Sequence, residues 1–316
     1  MTEFMTSTGE SKPGALPEPR QRPSRTAALS AAAKSIATPM RSASALASSA
    51  HQVLHGLESR RVPRLGQVRE RVQQAEAGWD LRELEQALHA LQEASAAVDF
   101  LPGRGRSFPA AEFRRQAGMV GGAAKRLAHA SLHFIGRHAA EGTATRLLWA
   151  ELMMESRAID KRVRQGLAWL REMEQELATR RAAATAEVSQ RALQELGRRG
   201  EALADKLHLV QGVCGAARAA RNLGDQAQAH RSALGTLLQE EVRPASVRLQ
   251  QQLQALVEAC DVRAPEPAQL LVAIDSRHAL EVAATRAAAE LQHLQALQGE
   301  LATQLGWMAQ KEKPLG

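Results

Sequence analysis

From Leu152 to Leu177 the chain sets Leu152, Ser156, Ile159, Val163, Gly166, Leu170, Met173 and Leu177 at alternating intervals of four and three residues. That alternation averages close to one α-helical turn, so these positions share one side of a single helix. A strand, with its period of two, would scatter them over both faces and could not bury them together. Ser156 and Gly166 are the weak members of the seam. A helix of this length with one apolar stripe needs neighbours of similar length, and the rest of the chain supplies them.

Asp80 can cap a run of Leu81, Leu84, Leu88, Leu91 and Val98, with Ser95 filling the missing step. Helix resumes near Pro109 with Phe113, Met119, Val120, Leu127, Leu132 and Ile135 as its stripe, interrupted by Gly118, Gly121 and Gly122. Glu141-Gly142-Thr143 reads as the end of one helix and the start of the next. Beyond a break at Gly197 and Gly200, the pattern returns as Leu203, Leu207, Val210, Cys214 and Ala217. A further helix carries Leu234, Leu238, Val242, Leu249, Leu253, Leu256 and Cys260, with Pro244 expected to disturb it. The final helix starts near Pro267 and uses Ala287, Leu291, Leu294, Leu301, Leu305 and Met308. Leu101 to Pro109 and Arg263 to Pro267 read as connections, because Pro and Gly crowd them.

Composition agrees with this pattern. Aromatic residues make up 3% of the chain and Tyr is missing, which leaves a strand-based fold without its preferred residues. The expectation is an all-α fold: an elongated bundle of long antiparallel helices with coiled-coil-like packing and a disordered N-terminal tail. Residues 1–64 are read as a Pro/Ser/Ala/Arg-rich tail with marginal helix, 65–310 as the helical body, and 311–316 as a short flexible C-terminus. No repeat of solenoid length is apparent.

The net charge of +7 suggests a polyanion partner until its distribution is counted. Residues 1–65 hold 9 Lys and Arg against 4 Glu, whereas residues 66–316 hold 32 basic against 30 acidic side chains. Mixed charges on the body cancel beyond a Debye length of about 8 Å, so nucleic-acid binding would have to act through the tail. The pairs Arg114-Arg115, Lys125-Arg126, Arg180-Arg181 and Arg198-Arg199 also have no interleaved aromatics for base stacking. No run of apolar residues is long enough for a transmembrane segment, and no signal-peptide pattern opens the chain, so the protein is expected to be cytoplasmic.

Candidate chemistry is sparse. His129 and His133 lie four apart on one helical face, as do His51 and His55, but neither pair brings the third ligand that a zinc site requires. Glu290 and His293 form one Glu-x-x-His, where a di-iron bundle would use two. Glu151 and Glu155 precede Arg157, Lys161 and Arg162 and read as a solvated, ion-paired face. Cys214 and Cys260 stand at stripe positions and form no CxxC pair, which argues against direct reduction of a substrate. Gly103, Gly105, Gly121 and Gly122 do not form a phosphate-binding loop. The sequence therefore assigns no catalytic, cofactor-binding or metal-ligating residue, and no cofactor.

Three segments nevertheless follow one another in a familiar order. The first runs from Leu147 to Leu177. The second runs from Leu203-Ala-Asp-Lys-Leu-His-Leu209 through Arg218, Asn222, Leu234 and Leu238 to Pro244, then Leu249 to Leu256. The third runs from Leu271-Val-Ala-Ile-Asp275 through Arg286 and Glu290-Leu291 to Gly299-Glu300-Leu301 and Leu305. Together, over roughly residues 100 to 308, they resemble the TelA family of toxic-anion (tellurite) resistance proteins. The chain departs from that pattern at Ala245 and Ser246, where the family has a tryptophan after the proline. It departs again at Val282-Ala-Ala284, which replaces the Gly-Arg part of a Gly-Arg-x-x-Arg element and keeps only Arg286. The resemblance implies an all-helical, non-enzymatic resistance protein that works through a partner protein engaged by helical faces. Two other readings stand beside it: a helical scaffold or secreted-effector-type interaction protein, and a tail-mediated nucleic-acid binder.

Overall fold

The computed structural model describes residues 42–98, 110–183, 187–260 and 266–313. The chain divides into two units, Met1–Ser42 and Ala43–Gly316; the second is described below. The expected tail up to residue 41 and the connections at 101–109 and 261–265 lie outside the described residues.

Among the described residues every element is helical. A first rod consists of α1 (Ala43–Gly56), a π-helical turn (Leu57–Arg61) and α2 (Val62–Ala77), and a short interruption separates it from α3 (Arg82–Ala96). The second rod is α4 (Ala110–Ala183). The third joins α5 (Glu187–Leu237), a π-helical turn (Leu238–Val242) and α6 (Arg243–Ala259), and the fourth is α7 (Pro267–Glu312). The 74 residues of α4 span about 110 Å at 1.5 Å per residue.

Both π-turns end two residues before a proline. The Val62 N–H donates to the Leu57 carbonyl and the Arg243 N–H to the Leu238 carbonyl, each one residue wider than an α-helical bond. Pro63 and Pro244 thus follow a turn whose carbonyls have already been displaced from the pyrrolidine ring, and each rod continues through its proline. The disturbance expected at Pro244 takes this form.

Cross-rod pairs fix the topology. Arg61 meets Glu155, Arg71 meets Glu151 and Trp79 meets Phe134, so α4 descends as the first rod climbs. Cys214 meets Ser156, and a Cβ on Gly166 would touch Leu207, so α5 runs antiparallel to α4. His230 meets Glu290 and Arg286 meets Glu241, which makes α7 antiparallel to the third rod. Helix α7 packs back on α2 and α3. This second unit is an up-down-up-down bundle, the architecture expected from the seams.

Several boundaries differ from the sequence reading. The body begins at Ala43 and not at residue 65: Ala43, Leu46, Ala50, Leu54 and Leu57 are all buried in the core. A helix of 14 residues is marginal on its own even when rich in alanine, and here its burial against α4 and α5 supplies the missing stabilisation. At the other end α7 continues to Glu312, which receives the Arg69 guanidinium at 3.1 Å. The expected breaks at Glu141–Thr143 and at Gly197/Gly200 are continuous helix. Packing explains both. Phe134 on one side of Gly142 and Thr145 and Trp149 on the other are buried, which outweighs about 1 kcal/mol for an interior glycine. At Gly200 a Cβ would overlap the Met173 methyl group, so glycine there permits close approach of α5 to α4. Met119 and Leu132, expected in a core stripe, are 39% and 49% exposed; Phe113, Val120 and Leu127 are buried as expected, and Ala117 and Ala124 complete that seam.

Candidate functional site

The apolar interior falls into two clusters. One surrounds Leu84, Val120, Leu234, Leu249 and Leu280, and the other surrounds Leu54, Leu65, Leu152, Val163 and Leu207. Between them lies a polar waist. Glu76, at the end of α2 and 6% exposed, accepts the indole N–H of Trp149 at 2.9 Å and a guanidinium N–H of Arg231. Arg231 is 0% exposed, and its guanidinium lies 4.6 Å from the centre of the Trp79 ring. Arg137 approaches the same ring at 5.7 Å and donates to the Gly78 carbonyl, so the interruption between α2 and α3 is gripped by α4.

His138 completes the layer. Its ring stacks on Phe134 with centroids 6.4 Å apart and lies 3.4 Å from the Ser232 hydroxyl. Burial first, then the positive charges of Arg231 and Arg146, hold its pKa below the ordinary histidine value. Sequence reasoning missed this site because Glu76, Arg137, His138, Trp149 and Arg231 are spread over three rods. The one signal available was the rarity of tryptophan, of which the chain has four; two of them meet here.

The waist reads register. Slipping one rod by a turn, about 5.4 Å, would leave Glu76 and Arg231 charged and unpaired between two apolar clusters. The Arg231 Nε and Nη1 and the Trp79 indole N–H have no protein acceptor, so the layer contributes specificity at some cost in stability.

The residues weighed from sequence stand apart from one another. Cys214 is fully buried in one cluster, while Cys260 packs at the fringe of the other. Burial pushes the Cys214 thiol up to about 11, and its Sγ donates to the Ser156 carbonyl, so it is protonated at neutral pH. His129 and His133 are exposed and both face Glu83 of α3, at 3.6 and 3.0 Å. Glu290 meets His230 at 2.8 Å, and the His230 and His293 rings are 5.7 Å apart. Among the described residues no three such side chains are arranged to hold a metal ion. Glu151 and Glu155 do not pair along their own helix: Glu155 is buried between Arg61 and Arg64, and Glu151 meets Arg71, all on the first rod.

At the end formed by α1, the bundle changes. Among the described residues α7 runs to Glu312, level with Gly66 and Arg69, and the long helices packed against α1 are α4 and α5. A groove of about 530 Å³ lies between α1 and α5, with Ala47, Leu54, Leu196 and Leu203 among its lining residues. The α5 seam records the change: Leu207, Val210 and Cys214 are fully buried, whereas Leu193, Leu196 and Leu203 are half-buried.

No family model, curated protein or solved structure matches the chain. Among the described residues no helix is long and apolar enough to cross a membrane.

Proposed function

We propose that the protein is a non-enzymatic, cytoplasmic resistance protein of the toxic-anion type, whose helical body acts by engaging a partner protein. Support for the resistance part comes from the TelA-like order of Leu147 to Leu177, Leu203 to Leu256 and Leu271 to Leu305. Support for the partner part comes from the groove between α1 and α5, which three of the described rods flank. That groove is the observation that carries the reading, because it presents half-buried leucines on rigid helices.

A buried, protonated Cys214 and a Cys260 in the other cluster also support action without direct reduction of an oxyanion. The experiment is tellurite survival of a deletion strain complemented with the wild-type gene or with nothing. Complementation that restores survival supports the proposal. Equal survival over a wide dose range removes the resistance reading and leaves the helical scaffold.

A further inference from the structure

At the π-turn between α1 and α2 the surface carries a recess of a different kind. It encloses about 400 Å³, and its lining includes His51 and His55 of α1, Ser59, Arg60 and Arg61 of the turn, and Arg162 of α4. Among the described residues no carboxylate lines it. π-turns inserted into α-helices recur at functional sites, and this one brings two arginines to the recess.

Ion pairing does not remove the charge at this corner. Arg61 and Arg64 both reach Glu155 at 2.9 Å, so two guanidinium groups share one buried carboxylate. Along its own rod Arg60 has Gly56, Leu57, Pro63 and Arg64 three and four residues away, and Arg162 has Ala158, Ile159, Gln165 and Gly166. Neither therefore has an acidic side chain within helical reach. Arg164 and Arg180 of the same α4 do, and each pairs with the acid four residues back, Asp160 and Glu176. Glu58 of the turn meets Lys206 of α5. Arg60, Arg61, Arg64 and Arg162 against Glu155 leave three positive charges uncompensated.

Ser59 donates its hydroxyl to the His55 carbonyl at 2.7 Å, so the guanidinium and imidazole N–H groups are the donors left for a ligand. A carboxylate has two oxygens and one charge, which a single guanidinium fork satisfies. Three forks around one recess match a group with more oxygens and a second charge. A phosphoryl group has three free oxygens and about two negative charges at neutral pH, and arginine binds it through two-point contacts. The volume falls in the range of small-molecule pockets, with room for more than a lone ion. We infer that this recess binds the phosphoryl group of a small molecule or lipid headgroup, held by Arg60, Arg61 and Arg162 with His51 and His55 as further donors. The inference is independent of the resistance and partner readings.

Calorimetric titration of the full chain with pyrophosphate and with acetate tests it. Pyrophosphate is expected to bind at least about tenfold more tightly than acetate. Arg60→Gln and Arg162→Gln should each weaken pyrophosphate by about tenfold, and the double variant should abolish measurable binding. Arg162→Lys keeps the charge but not the fork and should lose several-fold. Lys161→Gln removes the same charge from an exposed neighbour outside the recess and should change affinity by less than about threefold. Arg60 and Arg162 are exposed, so the melting temperatures of these variants should match the parent and separate lost binding from lost fold. Flotation with phosphatidylcholine vesicles containing phosphatidic acid separates the two carriers. Flotation that the double variant loses assigns the phosphoryl group to a lipid, and pyrophosphate binding without flotation assigns it to a soluble molecule. Equal affinity for pyrophosphate and acetate, Lys161→Gln as damaging as Arg162→Gln, or pyrophosphate binding that survives the double variant would overturn the assignment.

Discussion

The waist and the α1 end of the bundle solve the same packing problem with opposite outcomes. At the waist all four rod positions are filled, and a charged pair is sealed between Trp79 and Trp149. At the α1 end the described residues fill three positions, Leu193, Leu196 and Leu203 of α5 are half-buried, and Arg199 and Lys206 stand exposed beside the groove. Buried charge in a closed layer specifies how rods align; charge on the rim of an open groove selects what comes next to it.

The largest effect should come from breaking the sealed pair on one side. Glu76→Leu leaves Arg231 buried without a countercharge and is expected to cost about 3–5 kcal/mol in denaturant unfolding. Combining Glu76→Leu with Arg231→Met should recover most of that loss, since both charges then disappear together. A double variant as unstable as the single would contradict the register role. Next, Leu207→Ala and Leu203→Ala separate the covered from the uncovered seam. Leu207 is fully buried and should lose about 2–5 kcal/mol, with half-buried Leu203 losing clearly less.

Smaller still is a pair of glycine substitutions within α5. A Cβ on Gly224 would stand 2.7 Å from the Trp149 ring, whereas nothing lies within 4 Å of one on Gly212. Gly224→Ala should destabilise by about 1–3 kcal/mol. Gly212→Ala should be neutral or stabilise by up to about 1 kcal/mol, read from the same melts.

The smallest effect is that of pH. His138 has a folded pKa below its unfolded one, so the unfolded chain takes up the proton first as pH falls. Its contribution is complete above the ordinary value of 6.5 and declines as the pH drops below it. His138→Gln should flatten that part of the stability curve, and an unchanged slope would show that another group sets it.

The seams were legible because a 4-3 alternation over many turns has one structural meaning, and Leu152 to Leu177 lie buried much as their spacing requires. Local interruptions misled. Gly142, Gly197 and Gly200 look like helix ends when only the local chain is considered, yet each lies inside a helix held by its neighbours. Ala43 to Leu57 looked too weak to fold because alanine and serine carry little burial signal of their own. The waist was illegible for a different reason. Glu76 and Arg231 are far apart in sequence, and a charge beside an apolar stripe usually faces water. Glu151 and Glu155 are ion-paired as read, but proximity along one helix suggested local partners where the first rod provides them, and Glu155 is buried by the pairing.

Amide hydrogen exchange followed peptide by peptide tests the central claim most directly, that the described residues form four packed positions at the waist and three at the α1 end. Protection should run unbroken through residues 141–143 and 197–200, extend into Leu46 to Leu57, and be stronger at Leu207 to Ala217 than at Leu193 to Leu203. Rapid exchange across 46–57, or loop-like exchange at either glycine segment, would contradict the account.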